Sequence, residues 1–133
     1  MSRYSRTNLR EDVGDASEGT DREGNIEVRL GRSPLDAEQV GVSFFRYGPG
    51  FRAPIGHRHR VQEEAYVVIG GSGRMKLDDE IIELRKWDAV RVAPEVVRAF
   101  EGGPEGLELI AVGGPKPEGG DGEAAGPDFW PGA

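Results

Sequence analysis

The feature that most constrains this chain is its punctuation. Apolar segments of strand length are each closed by Gly, Pro or Asp before a helical period can develop. Ile26-Glu27-Val28-Arg29-Leu30 alternates and stops at Gly31 to Pro34, and Val40 to Tyr47 stops at Gly48-Pro49-Gly50. Ala65 to Ile69 is a continuous apolar strand ended by Gly70-Gly71-Ser72-Gly73, which reads as a turn. Arg74 to Leu77 and Ile81 to Leu84 flank Asp78-Asp79 as a β-hairpin. Ala89 to Val92, Val96 to Phe100 and Leu107 to Val112 complete the set, with Gly102-Gly103-Pro104 between the last two. Leu35 to Gln39 has room for one helical turn. With 21 Gly and 9 Pro in 133 residues, the expectation is all-β, a sandwich or barrel.

The polar stretch 1–25 shows neither period and reads as a flexible arm. Residues 26–113 form the barrel, and 114–133 are a Gly/Pro/acidic tail in which Trp130 is expected to clip the tail onto the barrel or a partner subunit. The formal charge of -7 excludes a general phosphate-backbone binder, so no nucleic acid is expected. Without cysteine there is no disulfide frame or thiolate site. The polar start and the lack of a bilayer-length apolar run point to a cytoplasmic protein without membrane contact.

Both histidines of the chain lie in Gly56-His57-Arg58-His59-Arg60. On a strand, residues two apart face the same side, so the two imidazoles converge. Glu63 or Glu64 brings a carboxylate to them if the chain bends after His59. The set is a candidate metal site. Gly70 to Gly73 lacks the Lys-Ser or Lys-Thr of a phosphate loop, and Ser43 and Ser72 have no evident catalytic partners.

At these residues the chain resembles the cupins. His57, His59, Glu63 and Gly70 match the His-x-His, three- or four-residue gap, Glu, six-residue gap, Gly pattern of the first cupin motif. The resemblance selects Glu63, turning Glu64 and Tyr66 to the outer face. It implies a double-stranded β-helix, the jelly-roll cupin barrel of two packed antiparallel sheets. The second motif departs from the pattern: Trp87 replaces a Gly, Glu95 another, and Arg98 stands where the fourth ligand, a His, is usual.

The implied site is one divalent metal (Fe, Mn, Ni, Cu, Co or Zn) on His57, His59 and Glu63, serving a dioxygenase, isomerase or lyase. Arg98, Phe44, Arg46 and Phe100 would bind a small organic molecule such as a carboxylate, with Ala65 and Val67 also lining the barrel. The alternative is a metal-free binding barrel in which Arg98 pairs with Glu63. The resemblance also implies a homodimer.

Overall fold

Strand β1 (Ile26–Leu30) runs antiparallel to β2 (Gly41–Tyr47), from Ile26 opposite Tyr47 to Leu30 opposite Ser43. Between them the expected helical turn forms earlier than the sequence indicated, as α1 (Arg32–Leu35). The structure is a computed structural model that describes residues 3–125 and 129–131. The remaining ends of the expected arm and tail, residues 1–2, 126–128 and 132–133, lie outside the described residues.

Next come β3 (His57–His59), β4 (Glu64–Leu77), β5 (Glu80–Arg85), β6 (Ala89–Val92), β7 (Arg98–Gly113) and β8 (Gly122–Ala124). The strands join in the order β1-β2-β7-β3-β8, and β4 pairs with β5, β6 and β7. The β4–β5 hairpin forms at Asp78-Asp79, with Leu77 opposite Glu80.

Two expected turns are instead bends inside long strands. Gly70 to Gly73 lies within β4, and Gly102-Gly103-Pro104 lies within β7. Their pairing shifts register between Val68 and Gly70 and again between Gly71 and Gly73. Bulges of this kind let a strand turn a barrel corner without breaking. The glycines are required by proximity: a Cβ on Gly71 would stand 2.0 Å from the Gly106 carbonyl oxygen.

The core follows the strand period. Leu107, Leu109 and Ala111 point inward from β7 and meet Tyr66 and Val68 of β4, together with Met75 and Phe100. The Phe100 ring lies 5.0 Å from Tyr66 and 5.5 Å from Tyr47, centroid to centroid. Burying each such side chain stabilises the fold by about 1.5–3 kcal/mol.

The stretch expected as a flexible arm packs along the free edge of β1. The Ala16 amide donates to the Val28 carbonyl at 2.7 Å, and the Val28 amide donates to Asp15 Oδ1 at 2.9 Å. Val13 is buried there. This covers the groups an edge strand would otherwise offer to another chain. Trp130 is buried as well, donating from Nε1 to the Ala53 carbonyl at 2.9 Å beneath the Arg52 guanidinium. No helix among the described residues is long and apolar enough to cross a membrane.

Candidate metal centre

His57 and His59 project from one side of β3, with ring centroids 5.2 Å apart and planes at 88°. The carboxylate beside them is Glu64, the first residue of β4. Its Oε1 lies 3.1 Å from His59 Nε2 and 3.7 Å from His57 Nε2. The three side chains place ligand atoms within 4.8 Å of one another. Glu63 points the other way, 59% exposed, and pairs with Arg91 at 2.8 Å. Glu64, Tyr66 and Val68 therefore share the inner face, contrary to the sequence reading, and Ala65 and Val67 take the outer one.

The His59 imidazole is held by its surroundings, while the His57 side chain is 45% exposed. The His59 amide donates to the Pro94 carbonyl at 2.8 Å, and His59 Nδ1 lies 2.9 Å from Asp121 Oδ1. Asp121 Oδ2 accepts the Val61 and Gln62 amides, each at 2.8 Å. Burial alone would raise the Asp121 pKa, but the His59 hydrogen bond and the two amides outweigh it and lower the value to about 2. An ionised Asp121 only accepts, so His59 Nδ1 carries a proton, and in the neutral imidazole Nε2 is the nitrogen left with a lone pair. That Nε2 is buried and has no hydrogen-bond partner. An Nε2 lone pair facing a carboxylate oxygen at 3.1 Å is a geometry that a shared cation, a metal ion or a proton, can satisfy.

Glu64 is also tethered from the protein side. Tyr66 donates its hydroxyl to Oε1, and Arg98 Nη1 reaches the same oxygen at 3.4 Å. Burial works to raise the Glu64 pKa, but the neighbouring His57 and His59 and the hydrogen bond from Tyr66 bring it below the usual range. Burial and the Glu64 charge push the Tyr66 pKa well up, so the phenol stays a donor.

Arg98, opposite His57 in the β3–β7 pairing, is 0% exposed. Its Nη2 donates to the Ala93 carbonyl at 2.8 Å. It stands with Glu64, not Glu63, and is not part of the cavity wall. A cavity of about 300 Å³ opens over the histidines, walled by residues that include Ser43, Phe45, Gln62, Glu64 and Ala111.

The other expected binding residues lie elsewhere. Phe44 is buried on the outer face of β2 under the Arg10 guanidinium, 5.3 Å from the ring centroid. Arg46 pairs with Glu27 at 3.4 Å. Phe100 belongs to the core. Because Ser43 and Phe45 face the cavity, their neighbours Phe44 and Arg46 must face away. The sequence reading missed Asp121, Gln62 and Arg32; Asp121 sits in a Gly/acid tract with no period to mark it.

No family model matches the chain. The uncharacterized protein MJ1618 of Methanocaldococcus jannaschii is 36% identical over 45 residues, 34% of this chain and 36% of that protein. The match thus spans about a third of this relative's length. Among solved structures, a cupin protein from Bacteroides fragilis superposes with a TM-score of 0.70 at 22% identity, covering 86% of each chain. A Klebsiella pneumoniae protein with a double-stranded β-helix domain gives 0.69 at 19% identity, covering 95% of this chain and 99% of that one. The nucleoside dehydratase Pac13 gives 0.62 at 17% identity, covering 76% and 78%. The strand order, the inward alternation and these superpositions together show a small double-stranded β-helix with the fold of the cupins.

Proposed function

We propose that this chain holds one divalent transition metal on His57, His59 and Glu64 and binds or acts on a small organic molecule in the cavity above them. The observation that carries this reading is His59 Nε2, buried, without a hydrogen-bond partner and 3.1 Å from Glu64 Oε1. The Glu64 carboxylate faces both imidazoles and completes a three-ligand set. Two imidazoles and a carboxylate suit Fe, Mn, Ni, Cu, Co or Zn. Such a metal supplies a Lewis acid that orients and polarises a ligand oxygen.

The protein's own residues do the rest. Asp121 holds the His59 tautomer, Tyr66 and Arg98 hold the Glu64 carboxylate, and Phe45 and Ala111 offer apolar walls to a carbon skeleton. The neighbouring dehydratase Pac13 supports small-molecule chemistry as the use of such a barrel.

Elemental analysis of the purified protein tests this, with His57→Ala and Glu64→Gln alongside. One equivalent of metal in the wild type, reduced in both variants, is expected. Metal content that is low in all three overturns it. The Arg98–Glu64 contact favours a second reading, a metal-free binding barrel, which that result would select.

The proposal includes a homodimer. Val42, Val112 and Ala65 lie abreast on the outer sheet face, as do Phe44, Ile110 and Val67. Val112 remains 38% exposed in the single chain, which leaves apolar surface for a second copy to cover.

A further inference from the structure

We propose that Arg32 is the anion-recognition residue of this cavity and that the ligand it takes is a small carboxylate. The inference rests on the reading above for the place of the site, and deepens it by naming the ligand class. Arg32 opens α1 and lies back across β2 at Gly41. A Cβ on Gly41 would stand 2.5 Å from Arg32 Nη2 and 2.9 Å from Cζ, so the guanidinium rests where only a glycine leaves room. Nη2 donates to the Gly114 carbonyl at 2.7 Å. Nη1 is buried and has no partner.

Of the other arginines, eight pair with a carboxylate, and the five that do not, Arg3, Arg6, Arg22, Arg60 and Arg85, have no buried donor without a partner among the described residues. Glu27 serves Arg10, Arg29 and Arg46, and Glu101 serves Arg52 and Arg74. Arg58, Arg91 and Arg98 each have a glutamate of their own. The chain has 24 acidic side chains against 17 basic ones, yet no carboxylate pairs with Arg32 among the described residues. A partly buried guanidinium with an orphaned donor is costly unless something else accepts from it.

The cavity wall indicates what that acceptor is. Arg32 and Lys116 line it, and the one carboxylate of the lining, Glu64, is already engaged by Arg98 and Tyr66. The concavity is therefore electropositive within an acidic protein, which concentrates small anions. The planar fork of a guanidinium matches a carboxylate. Leu30, Phe45 and Ala111 on the same wall suit a carbon skeleton, and about 300 Å³ restricts the ligand to small size.

The test is calorimetric titration of the full chain, stripped of metal and again loaded with zinc, using acetate, propionate and benzoate against their amides and inorganic phosphate. In the stripped protein, where no metal competes for the anion, at least one acid is expected to bind about tenfold more tightly than its amide. Arg32→Gln should abolish that preference while zinc stoichiometry is unchanged. Gly41→Ala, whose methyl displaces the guanidinium, should reduce it, and decides the matter if Arg32→Gln does not fold. No preference for any acid in the wild type, a preference that survives both variants, or binding of phosphate alone overturns the proposal. Failure to bind zinc or any of the other divalent metals named above overturns the metal reading instead, since the preference is read in the stripped protein.

Discussion

His59 Nδ1 lies 2.9 Å from Oδ1 of Asp121, a residue 62 positions further along the chain and beyond the last long strand. The same carboxylate gathers the Val61 and Gln62 amides, so one buried side chain fixes both an imidazole and the loop that leads to Glu64. A contact outside the barrel strands thus controls the geometry within it.

Asp121→Asn keeps the shape and removes the charge. Zinc affinity should fall about 10- to 100-fold, the usual cost of losing a partner that orients a ligand imidazole. Competition with a chromophoric chelator measures it. An unchanged affinity would mean that Asp121 serves only the loop.

Glu64→Gln and Glu63→Gln differ by one position and should differ completely in outcome. The first removes a group beside both histidines and should reduce metal content; the second touches an exposed pair with Arg91 and should leave it intact. Metal analysis of the two proteins distinguishes them, and the reverse pattern would return the site to Glu63.

Glu101 bridges Arg52 at 2.7 Å and Arg74 at 2.7 Å. Burial pushes its pKa up, but hydrogen bonds from the two arginines and their charge outweigh this and hold it below 4.5. A carboxylate lowered in the folded state stabilises it above the unfolded pKa, and that contribution is lost as pH falls through the lowered value. Glu101→Gln should therefore cost about 1–2 kcal/mol at neutral pH, allowing for screening, and progressively less below about pH 4.5. Urea melts across that range check it; a pH-independent difference would refute the charge explanation.

Trp87 adopts φ 78° at a position where the resembling motif carries Gly, and its side chain is 70% exposed. A left-handed backbone costs a non-glycine residue about 1–2 kcal/mol, partly offset in a Gly variant by the roughly 0.5–1 kcal/mol of extra chain entropy lost on folding. Trp87→Gly is expected to raise the melting temperature slightly. A clear fall would show that the indole makes a stabilising contact.

Val112→Glu places a charge on the exposed apolar face of β7 and should convert a dimer into a monomer by light scattering at micromolar concentration. A wild type that is already monomeric removes the homodimer from the proposal.

The barrel was readable from the sequence because strand length, alternation and turn residues agreed along most of the chain. The phase was not. Ala65 to Ile69 is apolar at every position, so it has no alternation to say which side is inner, and Phe44-Phe45 is equally silent. Between β3 and β4 the chain leaves the sheet for residues 60–63, and a strand's phase does not carry across a loop. Hence Glu63 for Glu64, and Phe44 for Phe45. Arg98 was expected opposite the histidines and against Glu63; it stands against Glu64 instead, because its partner depended on which glutamate faced inward. Arg32 and Asp121 enter only through contacts remote in sequence, Arg32 with Gly114 and Asp121 with His59.

Strand β8 has three residues, all exposed, and is joined to the sheet through β3. Asp121 immediately precedes it. Short, solvent-exposed pairings open far more often than a core does. Releasing β8 would free the His59 ring while Leu107, Leu109 and Val68 stay packed. On the proposed reading, exchange of a metal held there would follow the breathing rate of the tail, leaving the barrel folded throughout.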